Sequence, residues 1–215
     1  MPNQIVIADL GTGNLRSVKQ AIDFVSDGIS VRISHDPNTI LQSSHFILPG
    51  QGAIGTWVKQ LNANETLKDA IQTRLASGPV LGICLGLQAL LRDSEENGGT
   101  DGLNILSGSV KHFANHTAHN NAKLKVPHMG WNNVEQVNDH PLWAGIKNKE
   151  RFYFVHSYYV DSNNEKEIMG QCHYGNSFTA AAATDNLFAT HFHPEKSHHA
   201  GLQLLKNFVN WNGCT

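Results

Sequence analysis

The run from Ile5 to Leu10 (IVIADL) is apolar and β-branched and stops at Gly11, the pattern of a strand buried on both faces. Leu15, Val18, Ile22 and Val25 then recur at helical spacing, and Asn14 ahead of them predicts an N-cap. Further apolar runs predict strands at Ser30–Ser34, His45–Gly50 and Pro79–Cys84, with a helical pattern around Asn64–Ala76 between the last two. Strands alternating with helices predict an α/β fold, a parallel sheet with helices on both faces.

The pattern changes in the second half. VKHF, LKVPHMGWNNV, RFYFVHSYYV, EIMGQCHY and SFTAAAAT read as strands between polar, Asn-rich turns. Only Ala200–Trp211 returns to helical spacing, through Leu202, Leu205, Phe208 and Val209. The polar segment Ala114–Ala122 predicts an exposed loop. No linker, charge run or repeat divides the chain, so residues 1–215 read as one domain: an α/β half joined to a β-rich half and closed by one helix.

Composition narrows the function. With 16 basic and 18 acidic residues the net charge is -2, which argues against nucleic acid or a membrane surface as the main partner. No apolar stretch is long enough for a transmembrane helix, and the opening MPNQIVIADLGTGN lacks the basic region of a secretory leader. Three cysteines, Cys84, Cys172 and Cys214, are an odd and sparse set. They predict a reducing compartment, the cytoplasm, and no disulfide framework.

The sharpest local feature is Gly82-Ile83-Cys84-Leu85-Gly86, set between the strand run VLGI and the helical run LQALL. A nucleophile between two glycines at a strand-to-helix turn is the pattern of a nucleophile elbow. The start of a helix also favours the thiolate. A buried cysteine between packing glycines satisfies the same spacing. Cys172 and Cys214 have no such setting and read as bystanders. A cysteine nucleophile needs a base and a group to orient it. His193-Pro194-Glu195 follows the run LFATHF and supplies both at a strand end, although a polar turn after an edge strand reads the same way.

Pro49-Gly50-Gln51-Gly52-Ala53-Ile54-Gly55 spells G-x-G-x-x-G, the dinucleotide fingerprint. It follows the third strand rather than the first, and no acidic residue ends a strand about 20 residues later. A glycine loop with free N–H groups equally suits an oxyanion hole. His191 and His193 are two apart, with His198 and His199 nearby, but no metal-ligand spacing accompanies them, so neither metal nor cofactor is expected.

Taken together, GICLGLQALL, FHPEKS and LPGQGAIG resemble the class I glutamine amidotransferases. IADLGTGNLRSV, SEENGGTDGLNILSGSV, VPHMGWNNV and FYFVHSYY extend the likeness over nearly the whole chain. They make it sharpest to the glutaminase subunits of imidazole glycerol phosphate synthase, from histidine biosynthesis. The resemblance implies a flavodoxin-like, mostly parallel open sheet and a catalytic triad at Cys84, His193 and Glu195. It implies oxyanion stabilisation by backbone around Gly50, Gln51 and Gly52 and at Leu85. Gln88 and Glu96 would hold the substrate glutamine, and Asn14, Arg16, Met129, Trp131 and Lys196 would face a partner. That partner is a (β/α)8 cyclase subunit that consumes the ammonia. A barrel of about 250 residues does not fit beside a glutaminase in this length, so a separate chain and a heterodimer are expected.

Three positions depart from the family pattern. Leu87 stands for the usual Met, a volume-conserving change. Gln51 stands for a Val in the oxyanion loop. His191 stands for a Gln two residues before the catalytic His, where it is expected to bring a pH-dependent charge near the triad. A paralogous glutaminase feeding a partner that aminates a surface-polysaccharide sugar would carry the same chemistry. A catalytically silent, nucleotide-binding subunit is a third reading, which the intact triad opposes.

Overall fold

The computed structural model describes residues 3–116 and 124–214. The first half contains β1 (Gln4–Ala8), α1 (Leu15–Val25), β2 (Ser30–Ser34), α2 (Pro37–Leu41), β3 (His45–Gly50), α3 (Ile54–Asn62), α4 (Glu65–Leu75), β4 (Val80–Cys84) and α5 (Leu85–Leu90). The second contains β5 (Asp93–Ser94), β6 (Thr100–Asp101), β7 (Ser109–His112), α6 (Phe113–His116), β8 (His128–Gln136), β9 (Glu150–His156) and β10 (Tyr158–Asp161). It ends with β11 (Ile168–Tyr174), β12 (Asn176–Thr184), β13 (Leu187–Thr190) and α7 (His198–Asn210).

Five strands form a parallel core in the order β2-β1-β3-β4-β13. This is the flavodoxin-like order, with β13 in the fifth place. Alternation along β1 shows how both faces are covered. Ile5 and Ile7 pack with Val18 and Ile22 of α1 and with Leu204 and Phe208 of α7. Val6 and Ala8 pack on the other face with Trp57 and Leu61 of α3 and Ile71 of α4. The sheet then continues antiparallel through β12, β10 and β7. β8, β9 and β11 form an antiparallel ribbon joined to β12.

The caps explain where the helices start. Asn14 Oδ1 accepts from Ser17 N at 3.4 Å, the expected cap of α1. Asn64 Oδ1 accepts from Leu67 N at 3.1 Å and opens α4.

Several details differ from the sequence reading. Two helices, not one, separate β3 from β4: Ile54, Trp57 and Leu61 give α3 one fully buried stripe. The short α2, with Pro37 in its first turn and Asp36 as its cap, carries too few residues to show a period. RFYFVHSYYV is two strands interrupted at Ser157. The segment expected from Ala114 as an exposed loop begins as a helical turn, Phe113–His116, in which Ala114 and Asn115 are exposed. The remainder of that expected loop, residues 117–122, lies outside the described residues.

Candidate active site

β4 runs directly into α5, and Cys84 is the turn between them. Its backbone has φ 55° and ψ −106°, a left-handed conformation that costs a side-chain-bearing residue about 1–3 kcal/mol. The surrounding close approaches hold it there, and glycines permit them. A Cβ on Gly86 would lie 1.9 Å from the Leu48 carbonyl oxygen, and one on Gly82 would lie 2.9 Å from Ala189 Cβ. A Cβ on Gly50 would lie 2.8 Å from Leu85 Cβ, so the end of β3 and the first turn of α5 touch. The Cys84 thiol is buried, with 7% of the residue exposed.

His193 reaches this turn because β13, just before it, pairs with β4, Thr190 opposite Ile83. The chain leaving β13 is then pinned to β9. His193 N donates to Tyr153 O at 2.9 Å. Ser197 Oγ donates to His193 O at 2.6 Å and accepts from Tyr153 N at 3.0 Å. Within this clamp, His193 Nδ1 lies 2.8 Å from Glu195 Oε1, both side chains being almost wholly buried. Burial opposes a charged imidazole, but the Cys84 sulfur and the Glu195 carboxylate outweigh it and push His193 up to about 10. Nε2 has no partner in hydrogen-bond geometry, so the thiol is near the ring without a formed bond. Such contacts tighten when substrate binds.

A cavity of about 450 Å³ opens on this pair, a size that suits a small metabolite. Gln51, Gly52, Cys84, Leu85, Gln88, Glu96, His193 and Lys196 line it, with Gly50 behind them against Leu85. Gly52 takes φ +90°, which its lack of a side chain permits. Glu96 is anchored from the far side, its Oε2 accepting from Ile54 N at 2.9 Å at the start of α3. Asn14, Arg16, Met129 and Trp131 are not in the cavity wall. Arg16 and Met129 are exposed, and Trp131 stacks flat on His198 with ring centres 4.8 Å apart.

Cys172 is buried in β11, where desolvation pushes its thiol up to about 12, and Cys214 is exposed beyond α7. Neither lines the cavity. Among the described residues, no cluster of three His, Cys, Asp or Glu side chains is placed to hold a metal ion.

The far wall was not singled out by residue in the sequence. Pro127 and Val155 to Tyr158 form it, from the end of β9 and its junction with β10. The runs VPHMGWNNV and FYFVHSYY pass through it, and periodicity reads both as plain strand. A row of buried imidazoles runs back from this wall, beginning with His156. His128 Nδ1 is 2.8 Å from His156 Nε2, and His156 Nδ1 donates to Tyr158 O at 2.6 Å. The His191 ring centre lies 4.1 Å from that of His156.

His191 therefore does not bring the expected pH-dependent charge. It is fully buried, and desolvation together with His156, His128 and His193 holds it neutral, well below the ordinary histidine range. Burial likewise brings His128 and His140 down to about 4 and His156 to about 3.

These shifts predict acid lability. A histidine whose folded value lies below its unfolded value of 6.5 takes its proton preferentially in the unfolded chain. Stability then falls as pH drops from 6.5 toward 4, each such residue adding up to about 1.4 kcal/mol per pH unit. His193 acts in the opposite sense: its contribution is complete below 6.5 and is lost as pH rises through about 10. Urea midpoints should fall steeply between pH 7 and pH 5, and a flat profile there would contradict the neutral buried cluster.

The family model for class-I glutamine amidotransferases matches residues 6–211. The chain is 48% identical over 214 residues to the imidazole glycerol phosphate synthase subunit HisH of Thiobacillus denitrificans, covering 99% of this chain and 93% of that one. It is 46% identical to the HisH subunit of Nitrosomonas europaea, covering 97% and 99%. Among solved structures, the glutaminase domain of Trypanosoma brucei CTPS, with acivicin bound, superposes with a TM-score of 0.64 at 15% identity, covering 98% of this chain and 95% of that one. That likeness is one of fold. The chain thus belongs to the class-I glutamine amidotransferase family, in its HisH branch.

Proposed function

We propose that this chain is the glutaminase subunit of an imidazole glycerol phosphate synthase, releasing ammonia for a (β/α)8 cyclase partner that forms imidazole glycerol phosphate and AICAR in histidine biosynthesis. The observation that carries the glutaminase chemistry is the strained Cys84 turn facing the buried His193–Glu195 pair across one cavity. The identity to HisH subunits supports the pathway.

In this reading Cys84 attacks the side-chain amide carbon of glutamine. The tetrahedral oxyanion is met by backbone N–H groups of Leu85 and of the Gly50–Gly52 loop. His193 gives its proton to the departing ammonia, and Glu195 steadies the ring through Nδ1. The same imidazole then takes a proton from water, which hydrolyses the thioester and frees glutamate and the thiol. Gln88 and Glu96 hold the substrate's polar head. Ammonia that escaped would be protonated in bulk water and lose its nucleophilicity, so it passes to the partner through an internal channel. Asn14, Arg16, Met129, Trp131 and Lys196 face that partner.

Co-purification with candidate barrel partners, followed by glutaminase assay with and without each partner's ligand, tests the reading. The histidine-pathway cyclase is expected to form a heterodimer and accelerate hydrolysis when liganded. Equal rates with and without it would sink the assignment, and stimulation by a sugar-aminating partner instead would move the chain to that pathway. An electrophilic glutamine analogue should leave its adduct on Cys84. An adduct on Cys172 or Cys214 would refute the elbow.

A further inference from the structure

Gln88 and His191 form a buried pair, of which the chemistry above leaves His191 unused. Gln88 Nε2 lies 3.1 Å from His191 Nε2; Gln88 is 5% exposed and His191 is fully buried. The ring is held on several sides. His191 N donates to Ala180 O at 2.8 Å, and the imidazole packs on His156 and edge-on to Phe178. It is neutral for the reasons of burial already given.

A neutral imidazole has one N–H and one bare nitrogen. In this structure the Gln88 NH2 group faces the ring, and an amide nitrogen has only hydrogens to offer, so Nε2 is the bare nitrogen and the His191 proton is on Nδ1, which is itself buried without a partner. At the other end of the amide, Gln88 Oε1 is buried, without a partner, in a residue that lines the cavity with Glu96. A glutamine amide has nearly the same shape in its two flipped forms, which exchange an acceptor for a donor. Only a polar neighbour distinguishes them.

We propose that His191 is a positioning residue for substrate. Its bare Nε2 holds the Gln88 amide so that Oε1, rather than the NH2 group, is offered to an N–H of glutamine. The proposal rests on reading the cavity as the glutamine site.

The full chain carrying Cys84→Ala, titrated with L-glutamine by calorimetry, separates the two. Added His191→Leu removes the acceptor and should weaken binding about tenfold. Added His191→Gln supplies an oxygen in place of Nε2 and should stay within about threefold of the parent. Gln88→Leu should weaken binding as His191→Leu does, and the double variant should be no worse than either single one, which a general packing defect would not produce. Nitrogen NMR of the unaltered chain should find His191 protonated at Nδ1 and bare at Nε2, a readout that survives if the leucine variant fails to fold. Protonation at Nε2 would overturn the proposal, as would unchanged binding in His191→Leu where Gln88→Leu is impaired. Unchanged binding in both would remove Gln88 from the site. A parent that binds no glutamine would defeat the glutaminase reading itself.

Discussion

Replacing Cys84 with alanine is expected to abolish glutamine hydrolysis, by about four orders of magnitude or more, while the partner still makes its product from added ammonium salt. The reaction divides cleanly. In the proposed function the thiol is needed only to break the amide, and the partner consumes ammonia whatever its source. Alanine keeps a Cβ, so the left-handed backbone at this turn is strained no more than before. The buried site loses one sulfur, so the fold survives. Rates with glutamine and with ammonia as nitrogen donor, measured on one preparation, check this. Loss of both activities would mean that the substitution damages the fold or the partner contact.

Gly86→Ala should have the largest effect on the fold. Its Cβ would enter the Leu48 carbonyl at 1.9 Å, and both groups belong to backbone that cannot rotate away. β3 or α5 must then move by an ångström or more, at about 3 kcal/mol or above. For a chain of this size that corresponds to about 6–12 °C in Tm. Activity should fall further than stability alone explains, because the same shift carries the Cys84 turn and the Leu85 N–H away from the cavity. Gly28→Ala is the control. Gly28 takes a positive φ, +85°, but unlike at Gly86 a Cβ there meets nothing within 4 Å. It should cost about 1–2 kcal/mol and leave hydrolysis intact. Equal melting shifts in the two variants would remove the close-packed elbow from the explanation.

The elbow was legible because it is local. Glycines two residues either side of Cys84, between an apolar strand and an apolar helix, state the close approach directly. His193 and Glu195 were legible for the same reason, as a strand-end pair with a rigid spacer. The opposite wall of the cavity was not. His156 and Tyr158 arrive through antiparallel pairing between distant segments, β8 with β9 and β7 with β10, and no periodicity announces which strand end meets Cys84. His191 was misjudged because protonation depends on burial, which belongs to the packed fold and not to the residue. α3 was overlooked although its stripe of Ile54, Trp57 and Leu61 is present in the chain. The glycine loop just before it draws the reading toward a turn.

β13 is the last strand along the described chain, yet it lies in the middle of the sheet, between β4 and β12. Cys84 and His193 therefore sit at the ends of neighbouring strands although most of the second half of the chain lies between them in sequence. The pair exists only when β13 fills the central gap and the segment behind it is clasped to β9. Assembly of the reactive pair is in this way tied to completion of the sheet.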